Sequence, residues 1–281
     1  MEHITIESTP RLRAPTMIAA FQGWNDAGGA ASLAAGYLRV ATSAERFAVI
    51  DPDPFVDYQQ TRPTVTLLDG QVRKVEWPET EMLASEEDDV VIVLGPEPNM
   101  RWRAYTDAIC GLAQQMGVEL VITLGALLAD TPHTRPVPVS STASDEELIA
   151  RLALTRSNYE GPTGIVGVLH DACGRAGLRS ASLWAATPHY ISATPNPRAA
   201  VALLERLSDL VGTPGPSGEL VRAASEYAVR VAAAVAEDPE LAGYVEQLES
   251  AADAEDPPTG EDLARDFERY LREQGGEEPG Q

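Results

Sequence analysis

The stretch from Phe21 to Leu38, FQGWNDAGGAASLAAGYL, follows the apolar run Thr16-Met17-Ile18-Ala19-Ala20 and reads as a strand, a tight glycine-rich turn and a helix. That order is the context in which a helix N-terminus holds phosphate. The spacing does not match: neither G-x-G-x-x-G nor G-x-x-x-x-G-K-[ST] is present. Asp26 would place a negative charge where the anion should sit, whereas Asn25 or Asp26 is suited to cap the helix. Capping is the more economical reading. Gly28, Ser32 and Gly36 then fall at i, i+4 and i+8, a face that lets another backbone approach. Each glycine inside a helix costs ~1 kcal/mol relative to alanine, so close packing is the expected compensation.

Outward from this turn, continuous apolar runs alternate with helix-period segments. The runs are TMIAAFQG, RFAVIDP, DDVVIVLG, VELVITLG and SASLWAAT; the helical segments are Asp26 to Ala41, Arg101 to Met116 and Pro197 to Val211. Apolar strands separated by helices predict a three-layer α/β/α sandwich around a mostly parallel sheet. Thr64 to Leu68 and Val72 to Trp77 alternate and flank Asp69-Gly70, a hairpin signal, so an antiparallel pair is expected to join the sheet and make it mixed.

Beyond Thr213-Pro214-Gly215-Pro216 the pattern is helical only: Glu219 to Glu237, Pro239 to Ala252 and Glu261 to Glu273. The expected organisation is an α/β/α core over 1–213, an acidic helical extension over 214–274 and a disordered tail over 275–281. In the last helix Leu263, Phe267, Tyr270 and Leu271 make one apolar stripe, which packs on its own domain or engages another chain.

With 44% hydrophobic residues the chain has ample material for a core. No segment has the length of a signal peptide or of a membrane span, so a cytoplasmic protein is expected. The net charge of −22 argues against nucleic acid or an anionic membrane as partner. Pro216 to Gln281 holds 17 Asp and Glu against 5 Arg, net −12, which marks the extension as a separate unit. Lys74 is the sole lysine among 21 basic residues, a composition suggesting a GC-rich bacterial genome. Cys110 and Cys173 suggest neither a disulfide framework nor a thiolate metal site.

The segment Gly23-Trp24-Asn25-Asp26-Ala27-Gly28 resembles the N-terminal signature of the family of the second proteasome assembly chaperone, the PAC-two family. Further pieces fall in that family's order. They are Asp57 with Arg62-Pro63, Leu94-Gly95-Pro96-Glu97-Pro98 followed by Trp102, LGALLADTPHTRPVPV, GPTGIVGVL, and SLWAATPHY followed by Asn196-Pro197. The similarity spans residues 15–212, and the wording around Pro132 to Pro136 together with the acidic tail looks like the actinobacterial branch. The resemblance implies a nucleoside-phosphorylase-like fold without the catalytic set of those enzymes, and a role as an assembly chaperone for proteasome subunits.

In open α/β sheets ligands sit beyond the carboxyl ends of the strands. Asp26, Glu97, His133, Arg135 and His189 fall there and are the ligand-site candidates, with two Thr-Pro-His triplets aiming two imidazoles at one sheet edge. A phosphorylase needs cationic donors for phosphate, an acid for ribose and a polar group for the base. Here acids outnumber bases, and no catalytic residue is assigned. Capping or hydrogen-bonding histidines, an Asp57–Arg62 ion pair and packing roles for Trp24, Trp102 and Trp184 are the structural alternatives. No cofactor is expected, although Asp130 and His133 would multiply around the axis of a ring and hold a divalent metal there. The favoured reading is a non-enzymatic homo-oligomeric scaffold, such as a trimer, that binds proteasome subunits or another protein through Leu263, Phe267, Tyr270 and Leu271. The alternatives are a small-molecule-binding or degenerate nucleoside-processing enzyme, and a divalent-metal-binding homo-oligomer.

Overall fold

The computed structural model describes residues 3–68, 72–143, 145–156, 159–191 and 193–254. A nine-stranded sheet has the spatial order β1 (Ile4–Ile6), β3 (Glu45–Ile50), β6 (Thr80–Ser85), β7 (Val90–Pro96), β2 (Thr16–Gln22), β8 (Leu120–Ala129), β11 (Ser180–Pro188), β9 (Val139–Ala143) and β10 (Thr155–Arg156). The central strands β7, β2, β8 and β11 are parallel. Antiparallel pairings add β6, β3 and β1 on one side and β9 on the other.

The central strands are apolar throughout because both faces are covered. In β2, Ile18 and Ala20 face one layer while Met17, Ala19 and Phe21 face the other, all fully buried. On the first face lie α1 (Ala30–Ala41) and α5 (Pro197–Val211), which contributes Leu203, Leu204 and Leu207. On the second lie α2 (Trp102–Gln115) and α4 (Ile165–Arg175), with Tyr105, Ile109, Ile165 and Leu169 inward. Each fully buried leucine or isoleucine contributes about 1.5–3 kcal/mol relative to exposure. A short helix, α3 (Glu146–Leu152), follows β9 and buries Leu148.

The chain then adds α6 (Gly218–Ala236) and α7 (Pro239–Ala254). Ser217 caps α6 by accepting the Leu220 amide at 3.2 Å. Leu220 enters the core with α1 and α5. Tyr227, Val231 and Val235 of α6 meet Val245 of α7 and are backed by Tyr190 and Ile191. These two helices therefore pack on the α/β layer that precedes them. The stripe residues Leu263, Phe267, Tyr270 and Leu271 lie outside the described residues. No helix among the described residues is long and apolar enough to cross a membrane.

Three expectations are corrected. The strands β4 (Thr64–Leu68) and β5 (Val72–Glu76) pair antiparallel, but as a separate two-stranded sheet. The mixed character of the main sheet comes from β1, β3, β6 and β9, short strands with weak alternation. Gly28 is not on the helical face of Ser32 and Gly36, because it sits with φ 64° in a 3₁₀ turn, Ala27–Gly29, ahead of α1. It does permit a close approach: a Cβ there would lie 2.9 Å from the Asn196 Cβ, and the Asn196 amide donates to the Gly28 carbonyl at 2.7 Å. Lastly, among the described residues Asp57 forms no ion pair with Arg62; its carboxylate accepts the Gln59 amide at 2.9 Å and the Gln60 side chain at 3.3 Å.

Candidate functional site

The carboxyl ends of β2, β7, β8 and β11 converge on one edge, where the sequence candidates form two groups. The first is built by the turn after β2. Left-handed backbone at Gly28 and Gly29 reverses the chain, so the Asp26 carboxylate points back under the start of α1. It accepts the Ala31 amide at 2.7 Å, the Ser32 amide at 3.3 Å and the Ser32 hydroxyl at 2.5 Å. Asp26 is thus a buried cap acting five and six residues ahead, with the 3₁₀ turn interposed. Burial pushes its carboxyl above the usual range, against the opposing pull of the Ser32 hydroxyl and the two amides.

Glu97 works the same way across a longer distance. It follows β7, and its Oε1 accepts the Ile165 amide at 2.8 Å and the Asn25 Nδ2 at 2.7 Å. The first turn of α4 has no local side-chain cap, and Glu97 supplies one from another loop, at the end of the helix that favours negative charge. Asn25 is 1% exposed, and its amide packs on Gly164, where a Cβ would lie 2.3 Å from Oδ1. Two glycines thus make room for this polar knot, since Gly23 likewise abuts the Glu97 side chain.

The second group gathers around Tyr190. His133 Nδ1 is 2.9 Å from the Tyr190 hydroxyl, which also accepts the His133 amide at 2.8 Å. His189 stacks edge-on to the same ring at 5.7 Å, so both Thr-Pro-His imidazoles do reach one edge of the sheet. His189 Nδ1 lies 3.0 Å from Asp130, which also accepts the Tyr244 hydroxyl at 3.2 Å. Burial and the neighbouring Arg198 guanidinium hold the His133 pKa below its ordinary value, with Glu249 opposing. Among the described residues Arg135 makes no hydrogen bond or ion pair with these imidazoles and instead binds Asp253 and Glu249 on α7.

No hydrogen bond or ion pair among the described residues joins Asp26 and Glu97 to His133, Arg135 and His189. Asp130 and His133, the pair considered for a metal, are directed to different partners, and no group of three His, Cys, Asp or Glu among the described residues is arranged to hold a metal ion. Asn25, Tyr190, Tyr244 and Asp253 complete these networks without being site candidates in the sequence, although Asn25 is suited to cap a helix and Tyr190 ends the SLWAATPHY motif. Asn25 lies inside the capping segment, but nothing local shows that its amide reaches Glu97. Tyr244 and Asp253 arrive from α7, more than a hundred residues after the loops they meet.

The model of the PAC2 family matches residues 20–235. A PAC2 family protein from Streptomyces avermitilis is 49% identical, with a TM-score of 0.75 over 82% of this chain and 99% of that one. A proteasome-assembly chaperone homologue from Mycobacterium tuberculosis is 42% identical, with a TM-score of 0.74 over 82% and 99%. A protein of unknown function from M. tuberculosis is 28% identical and aligns over 97% of this chain and 96% of its own, with a TM-score of 0.82. No curated protein matches the chain. Sequence motifs, sheet architecture and these similarities agree: the chain belongs to the PAC2 family.

Proposed function

We propose that this chain is a protein-binding scaffold of the proteasome-assembly chaperone type, acting on proteasome subunits without catalysing a reaction. The observation that carries this reading is the 42% identity to the M. tuberculosis proteasome-assembly chaperone homologue over 99% of that chain. The chemistry of the strand ends favours it as well. Asp26 and Glu97 are engaged as helix caps, and Arg135, the cation best placed for an anionic co-substrate, is bound to two carboxylates of its own chain. A phosphorolytic site would need such groups directed at a ligand.

Self-association belongs to the same reading. A two-stranded sheet is at best marginally stable by itself. The β4–β5 hairpin nonetheless exposes Val65, Leu67 and Val75 on the face that also carries Arg73, an apolar and cationic face suited to a second copy of this acidic chain. Sedimentation velocity of the full chain is expected to show an oligomer that Leu67→Asp dissociates; a monomer at micromolar concentration removes this part. The main test is binding. The full chain, mixed with separately purified proteasome α and β subunits, is expected to co-sediment with one of them. Failure to bind either subunit overturns the chaperone reading.

A further inference from the structure

The outer side of α6 carries an apolar surface that its packing does not use. Leu220, Ala224, Tyr227, Val231 and Val235 are buried, as expected for a helix docked along one stripe. A second stripe, Val221, Ala228, Val229 and Ala232, turns elsewhere, with Val221 43% and Val229 70% exposed. Together with Val137 and Val201 it lines a groove of about 610 Å³ between α6 and α5.

We propose that this groove is the docking site of the chain's own residues 261–273, seated through Leu263, Phe267, Tyr270 and Leu271. Where the described chain ends supports this occupant. The last turn of α7 is fixed by Arg135, which binds Asp253 at 2.6 Å and Glu249 at 3.4 Å. Thr134 and Pro136, on either side of Arg135, belong to the wall of the same groove. The segment beyond Ala254 therefore sets out from the groove's rim. Residues 255–260 reach ~20 Å when extended, at ~3.3–3.6 Å each. A helix over 261–273 would be about 20 Å long, close to the ~17 Å of α6 between Val221 and Ala232. A second groove, about 640 Å³ between α1 and α6, opens at Leu241 near the start of α7, at the opposite end of that helix.

Charge points the same way. Arg198, at the groove's edge and half-buried, donates to the backbone carbonyls of His133 and Arg135, and among the described residues it forms no ion pair. Residues 255–281 carry nine Asp and Glu against three Arg, and Arg198 offers them one cationic contact on a groove wall that also holds Glu205.

The test uses the full chain with the photo-crosslinking residue p-benzoylphenylalanine in place of Phe267. Irradiation is expected to give cross-links within one chain to the segments holding Val201, Val221 and Val229. Val229→Asp, and independently Val221→Asp, should reduce their yield severalfold, and both positions are exposed enough to leave folding intact. Mixing isotopically labelled with unlabelled protein separates links within a chain from links between copies. Cross-links between copies, cross-links to the groove at Leu241, or none in the folded protein overturn the proposal. No partner is needed for this readout, so its failure leaves the chaperone reading untouched.

Discussion

Arg135 and Asp253, 118 positions apart, form a two-pronged ion pair with Nε and Nη2 at 2.8 and 2.6 Å from the two carboxylate oxygens. The bond ties the last turn of α7 to a strand-end loop, and Arg135 in turn holds the Asp253 carboxyl below the usual range. Both side chains are solvent-accessible, so the pair acts on local order more than on global stability. Asp253→Asn is expected to raise amide hydrogen exchange in the C-terminal half of α7 while leaving the central strands unchanged, and added salt should narrow the difference. Equal protection of α7 in both proteins would show that apolar packing at Val245 and Leu241 alone fixes the helix.

Asp26→Ala removes the acceptor of two amides and one hydroxyl at the start of α1, and is expected to cost ~0.5–2 kcal/mol in chemical denaturation. Asp26→Asn keeps one acceptor oxygen and should cost less. An unchanged midpoint for the alanine variant would show that the 3₁₀ turn is held by Asn196 and Gly28 without help from the cap.

Gly164→Ala drives a methyl group into the Asn25 amide, 2.3 Å from Oδ1, at the point where Glu97 caps α4. Overpacking of this kind costs ~1–3 kcal/mol. Asn25→Ala removes the obstacle, so the double variant should be more stable than the sum of the single losses predicts, with a coupling of ~0.5–3 kcal/mol. Additive losses would place the strain elsewhere in the loop.

What the sequence disclosed follows from how local each determinant is. The strand β2 is apolar at every buried position, and α5 carries its own start and stop, Asn196-Pro197 and Gly212, so both are legible from neighbouring residues. By contrast α4 begins at Gly164 with no cap of its own, and the group that starts it, Glu97, lies 68 residues away. β6 is a six-residue strand with polar Thr80 and Ser85 at its ends; the Thr80 hydroxyl is satisfied by Tyr105, 2.7 Å away on α2, a partner that no spacing rule reveals. Cys110 and Cys173 are 63 residues apart, yet their sulfurs lie 3.9 Å from each other between α2 and α4. At the sheet edge the two Thr-Pro-His triplets announced two imidazoles at neighbouring strand ends because β8 and β11 are parallel neighbours, although the register sets Thr187 opposite Leu128 and offsets the triplets by three residues. That Tyr190 stands between those imidazoles, and that α7 closes over the loop, depend on long-range packing.

His133 gives the sign of one pH effect. Its ring is buried against Tyr190 beside the Arg198 guanidinium, both of which disfavour the charged imidazolium, while Glu249 favours it. Because the folded pKa lies below the ordinary 6.5, the unfolded chain binds a proton first as pH falls. The contribution of this residue to stability is therefore complete above 6.5 and is lost as pH drops from 6.5 towards the depressed folded value. His133→Gln should flatten that part of the stability profile between about pH 5 and pH 6.5, the region in which histidine titrates. Nuclear magnetic resonance of the His133 ring is expected to show titration below 6.5 in the folded protein. Titration above that value would mean that Glu249 outweighs burial and Arg198, and the pH slope would reverse.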